Sequence, residues 1–104
     1  METLERLADR IAARVGASPE SSYTASLLGK GVEKCAKKFG EEAFELAMAA
    51  VQGDKPHITS EAADVFYHVL VLLQASGVSL DDVMAVLNAR EGTSGLVEKA
   101  GRRG

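Results

Sequence analysis

The sequence of 104 residues contains a single cysteine, Cys35, so no disulfide can form within one chain. It has no surplus of positive charge: the formal net charge is -3 and the pI near 5.3, which excludes a general binder of nucleic acid, since phosphate contacts need a basic surface. It has no long apolar run either. The most apolar stretch, residues 62–73, is interrupted by Asp64 and His68 and falls well short of the ~20 residues of a membrane span, so it reads as a buried helix. No start resembling a secretory signal precedes it, and the expected compartment is the cytoplasm. Sustained period-two alternation is missing, which removes the usual signal for strands.

Apolar residues at helical spacing are what the sequence has instead. Leu4, Leu7, Ala8, Ile11 and Val15 predict a first helix over about residues 2–15, closed by Gly16. Pro19 and the small hydroxyl residues after it predict a turn capping a short helix through Leu28. Val32, Cys35, Ala36, Phe39, Ala43, Leu46, Ala47 and Ala50 then form a stripe that persists to Gly53. Cys35 lies within that stripe and reads as a packing residue. On the far side Phe44, Met48 and Val51 make a second apolar face, and a helix greasy on both flanks needs more than one neighbour. In so short a chain that predicts a partner subunit. Asp54, Lys55 and Pro56 turn into a helix running to about Ser76, closed by Gly77. Ser79 and Asp82 make a capping-box signature for a last amphipathic helix through Leu80, Val83, Met84 and Leu87 to about Arg90. The expected fold is all-α: one domain, an antiparallel helical bundle of four main helices plus a short one, completed by a partner subunit.

Acidic residues stand in the two most apolar helices. Glu42 and Glu45 share a face, as do Glu41 with Glu45 and Glu61 with Asp64. Counted from the turn near Asp54, Glu45 lies nine residues back, roughly 13 Å, and Glu61 seven forward, about 10 Å, so the two pairs sit near one level. Carboxylates about 5 Å apart repel by roughly 3 kcal/mol per pair at an effective dielectric near 20, and a divalent cation is the simplest compensation. An all-oxygen set suits Mg²⁺ or Mn²⁺, and the Glu-x-x-His of di-iron bundles is missing. His68, one turn past Asp64, reads as a hydrogen-bonded core histidine rather than a ligand, and it is placed to support one. Such a cation usually works on substrate phosphates, and Lys30, Lys34, Lys37 and Lys38 lie within three turns of the cluster, three of them on the side of Glu41. The competing reading is that glutamates and lysines on a helix form a solvated face.

Combined, these segments carry a resemblance. Glu42-x-x-Glu45 followed, after fifteen intervening residues, by Glu61-x-x-Asp64 is similar to the metal motif of the MazG-like all-α nucleoside triphosphate pyrophosphohydrolases. More narrowly, Ser21 to Thr24, the block Lys34-Cys35-Ala36-Lys37-Lys38-Phe39-Gly40-Glu41-Glu42, and Ser60 to Asp64 with Tyr67-His68 resemble the phosphoribosyl-ATP pyrophosphohydrolases of histidine biosynthesis. Val32 departs from the pattern, since relatives often carry proline there. The resemblance covers about residues 4–95 and the domain is expected over 1–95, while residues 96–104, with few apolar side chains, are expected to form a flexible tail. The resemblance implies a helical homodimer and a nucleotide substrate, 1-(5-phosphoribosyl)-ATP, cleaved with Mg²⁺ between its α and β phosphates. Carried over, Glu42, Glu45, Glu61 and Asp64 are the expected metal ligands, and Glu41 is a further ligand or orients the attacking water. The four lysines are expected on phosphates. Ser22, Tyr23, Arg90 and Ser94 are further candidates for ribose or phosphate contacts. The cysteine and histidine ligands of a zinc cyclohydrolase, to which this domain is often fused, are not in the sequence. Two other readings stay open: a house-cleaning hydrolase of non-standard nucleoside triphosphates, and a non-catalytic helical dimerisation module.

Overall fold

The computed structural model describes residues 2–20 and 22–91, and the expected tail and Ser94 lie outside them. Five helices make up the described chain: α1 (Glu2–Ala12), α2 (Tyr23–Gly29), α3 (Val32–Gln52), α4 (Lys55–Ser76) and α5 (Leu80–Glu91). No strand occurs among the described residues, so the chain is all-α as its periodicity predicts.

The helix ends follow local chemistry. Ser22 caps α2, its hydroxyl accepting the Ala25 N–H at 3.2 Å, which satisfies one of the free donors of the first turn. Gly53 ends α3 in the left-handed conformation at φ 82°, its N–H donating to the Ala49 carbonyl, and a side chain there would be strained. Asp54 then starts α4, with Pro56 in the first turn, where its missing N–H removes no helical bond. Helix α1 stops earlier than expected, at Ala12. Beyond it the backbone tightens into i to i+3 bonds, Arg14 to Ile11 at 3.0 Å and Val15 to Ala12 at 3.2 Å. Val15 is 57% exposed, so no packing holds a further α-helical turn.

Packing is dominated by α3 against α4, with α1 lying on α4 and α2 on both long helices. The core joins four helices through Ile11, Leu27, Cys35, Leu70 and Val71. It sits toward the N-terminal half of α3 and the C-terminal half of α4, leaving the α3–α4 turn end to the acidic residues. Cys35 is a core residue as expected, its thiol donating to the Leu27 carbonyl at 3.3 Å and its pKa raised by burial.

Two apolar faces are uncovered in the single chain. Phe44, Met48 and Val51 on α3 are 66%, 42% and 80% exposed, and Phe66 on α4 is half exposed. Helix α5 bends away from α4 by 111° at Gly77–Ser79. Its expected apolar stripe is not buried: Leu80 packs on the core, Val83 and Met84 are partly covered, and Leu87 is half exposed. The physical reason is that among the described residues no helix packs closely on the outer turns of α5. No single helix among the described residues is long and apolar enough to cross a membrane.

Candidate active site

Because α3 and α4 meet at Gly53, residues equally far from that glycine lie at one level. Glu45 and Glu61 are each eight residues from it and Glu42 and Asp64 each eleven, about 12 Å and 16 Å of helix. Three of the four converge. Glu42, Glu45 and Glu61 each present a carboxylate oxygen within 4.8 Å of the others. Glu42 is buried, Glu61 half-buried and Glu45 exposed. Asp64, exposed on the next turn of α4, stands outside this triad.

Only part of that negative charge is balanced. Lys38 Nζ lies 3.6 Å from Glu42 Oε2, one turn earlier on α3. His57 Nε2 lies 3.3 Å from Glu61 Oε1, one turn earlier on α4. Glu61 Oε2 is buried without a hydrogen-bond partner, and an unsatisfied buried acceptor costs about 1–3 kcal/mol, more when charged. Converging carboxylates with one stranded oxygen fit a hard cation, which takes oxygen ligands and answers both the repulsion and the orphaned atom.

His68 is a hydrogen-bonded core histidine. Its Nδ1 donates to the backbone carbonyl of Asp64 at 2.8 Å rather than to the carboxylate, so it braces the turn of α4 and not the side chain. Its ring is buried and its Nε2 has no partner. Tyr67 meets it edge-on at 4.9 Å, and Tyr23 stacks on Tyr67 at 6.3 Å with 21° between the planes. The Tyr67 and Thr24 hydroxyls are hydrogen-bonded, tying α4 to α2. Burial pushes the Tyr67 phenol up, the Thr24 bond pulling the other way.

The lysines lie where their spacing predicts. Lys30, Lys34, Lys37 and Lys38, with Leu27 and Glu41, line a groove of about 170 Å³. Lys38 belongs to both regions, since it also pairs with Glu42 in the triad. Tyr23, then Glu42 and Glu41, raise the pKa of its ammonium against desolvation, which keeps it charged in the neutral range. A second groove of about 220 Å³ is lined by Phe44, Glu45, Met48, Gln52, His57 and Glu61. A further concavity, about 390 Å³ between α1 and the α4–α5 junction, is lined by none of the expected site residues.

Of the further candidates, Ser22 uses its hydroxyl as the α2 cap and Tyr23 is 56% exposed beside Lys38. Arg90, in the last turn of α5, lines neither groove. His57 was not foreseen. Its signal was there to read, for it extends the polar column of Glu61, Asp64 and His68 by one turn.

An all-α chain whose two longest helices bring together a carboxylate triad, with a lysine groove alongside, has the oxygen ligands that a hard cation takes and the positive charge that a phosphate takes. Comparison with known proteins narrows this. The family description phosphoribosyl-ATP pyrophosphohydrolase matches residues 4–91, and the chain belongs to that family. A protein of Cereibacter sphaeroides called phosphoribosyl-ATP pyrophosphatase is 64% identical over 102 residues, covering 98% of this chain and 99% of its own. Proteins of the same name from Dinoroseobacter shibae and Paracoccus denitrificans are 60% and 59% identical, covering 98% and 96% of this chain and 100% and 93% of their own.

Proposed function

We infer that this chain is an enzyme that hydrolyses phosphoribosyl-ATP to phosphoribosyl-AMP and pyrophosphate, a step of histidine biosynthesis. The name shared by relatives about 60% identical over nearly their whole length supports this reading. The observation that carries the chemistry is the meeting of Glu42, Glu45 and Glu61 around a stranded Glu61 oxygen, next to a groove of lysines.

In this reading Glu42, Glu45 and Glu61, joined by Asp64, hold Mg²⁺, and Mn²⁺ suits the same oxygens. When bound, the cation draws electron density from the anhydride between the α and β phosphates. Glu41 and Glu42 orient the attacking water and accept its proton as its oxygen bonds to phosphorus and pyrophosphate departs. Lys37 and Lys38 hold phosphate oxygens nearest the triad, Lys30 and Lys34 further along the groove, by charge-assisted hydrogen bonds. Ser22, Tyr23, Arg90 and Ser94 supply further substrate contacts, and His68 steadies the turn that carries Asp64.

The reading extends to the assembly. A second copy covers the face of Phe44, Met48 and Val51, where burying each side chain contributes roughly 1.5–3 kcal/mol, and the helices complete an antiparallel bundle as a cytoplasmic homodimer. Residues 1–95 form the catalytic unit and 96–104 a tail beyond it.

The test is release of pyrophosphate from phosphoribosyl-ATP by the purified protein with Mg²⁺. Glu42→Gln is expected to lower turnover at least a hundredfold while the helical circular dichroism stays unchanged. Folded wild-type protein releasing no pyrophosphate would refute the assignment, and faster hydrolysis of non-standard nucleoside triphosphates would replace it with the house-cleaning reading.

A further inference from the structure

The lysine groove reaches further than attack on an anhydride requires. Helices α2 and α3 form a hairpin clasped by the Cys35 thiol on the Leu27 carbonyl. Tyr23 and Leu27, one turn apart on α2, therefore face α3, Tyr23 beside Lys38 and Leu27 within the groove. From Lys38, next to the triad, the lysines recede toward the α2–α3 turn: Lys34 lies one turn earlier on α3, about 6 Å away by helical rise, and Lys30 lies beyond the start of α3, at the end of α2. Lys38 is paired with Glu42, whereas Lys30, Lys34 and Lys37 have no ion pair among the described residues. Three ammonium groups without an ion pair surround about 170 Å³ whose lining also includes the Glu41 carboxylate, which leaves the groove positive on balance and suited to an anion.

The scissile anhydride must reach the carboxylates to be cleaved, so the end of the groove furthest from them is open to another anionic group. The substrate class assigned above has a second anionic end, the 5′-phosphate of the extra ribose, with adenine between the two. Resting on that assignment, we propose that Lys30 and Lys34 are specificity-determining residues that bind this remote phosphate, with the exposed ring of Tyr23 carrying the adenine between them and the triad. The stacking of Tyr23 on Tyr67, itself tied to Thr24, holds that ring in place while leaving more than half of the residue open. A plain nucleoside triphosphate reaches the Lys37–Lys38 end of the groove only and gains nothing from Lys30 or Lys34, so these two discriminate between the substrates.

The experiment is steady-state kinetics of the Lys30→Ala/Lys34→Ala double variant beside wild type, with ATP as a competitive inhibitor. KM for phosphoribosyl-ATP should rise at least tenfold, kcat should change less than about twofold, and the inhibition constant of ATP should stay within about twofold. Lys34→Arg, which keeps the charge, should recover most of the loss when compared with Lys34→Ala. An ATP inhibition constant that rises in step with KM overturns the proposal, since the lysines would then hold the triphosphate. Unchanged KM, or a loss confined to kcat, overturns it as well. Wild-type protein inactive on phosphoribosyl-ATP removes the assigned function and this subsite with it, whereas active wild type with an unshifted variant removes the subsite alone.

Discussion

Glu61→Gln should make the metal-free protein more stable and at the same time deprive it of stabilisation by Mg²⁺. With the triad oxygens within 4.8 Å of one another, each pair of charges repels by about 0.9 kcal/mol at the dielectric of water and about 3.5 kcal/mol at an effective value of 20. Glu61 takes part in two of the three pairs, which brackets the relief between about 2 and 7 kcal/mol. Exposure of Glu45 and the Lys38 charge beside Glu42 place the effect near the lower figure. Glutamine keeps an oxygen for His57 Nε2, 3.3 Å from Glu61 Oε1, and its amide replaces Oε2, which has no hydrogen-bond partner among the described residues. About 2 kcal/mol corresponds to a rise in melting temperature on the order of 10 °C for a domain of this size. Excess Mg²⁺ should reverse the order: wild type gains about 2.7 kcal/mol at a hundred times the dissociation constant, and the variant, having lost a ligand charge, gains much less. Calorimetry at one fixed protein concentration, first in EDTA and then along a Mg²⁺ series, measures both. A variant that melts no higher than wild type in EDTA, and responds equally to Mg²⁺, would refute the claim that these oxygens share a cation.

Two further outcomes are expected. Tyr67 has its pKa raised above 10.0 by burial, so its contribution to stability is complete below pH 10 and lost as pH rises through the folded value. Tyr67→Phe, which gives up the Thr24 hydrogen bond, should cost about 0.5–1.5 kcal/mol at pH 7 and then flatten the fall in melting temperature between pH 10 and 11; a parallel fall in both proteins would contradict this. Val51→Glu should weaken self-association by at least tenfold in sedimentation equilibrium, because Val51 is 80% exposed in one chain and its burial contributes roughly 1.5–3 kcal/mol; a wild-type monomer at micromolar concentration would remove the dimer from the account.

The long helices were legible because their punctuation is local. Gly53 and Gly77 stop α3 and α4 at the expected places, and Ser79 caps α5 through the Asp82 N–H at 3.1 Å. Glu42, Glu45 and Glu61 were legible because position along two helices joined by a short turn fixes their level. What position along the chain does not fix is the rotation of α4 about its axis. Glu61 and Asp64 differ by about 60° around the helix, and only the first faces the α3 carboxylates in the chain alone. Nor does spacing fix which atom of Asp64 His68 meets, since a histidine one turn past an aspartate can reach its carbonyl as readily as its carboxylate. The last turn of α1 and the stripe of α5 depend on what lies opposite, and periodicity names an apolar face without naming its partner.

The shared distance of the acidic residues from Gly53 makes the turn behave like the pivot of a folding ruler. Marks on the two arms coincide only while each arm keeps its own graduation. One residue inserted between Gly53 and Glu45, or between Asp54 and Glu61, slides one arm by about 1.5 Å and twists it by about 100°, which throws Glu45 or Glu61 off its opposite number. Nearer the chain start the ruler is forgiving: insertions in the loop between α1 and α2 leave every graduation where it was. Viable length variants should therefore cluster in that loop and shun the sixteen positions from Glu45 to Ser60.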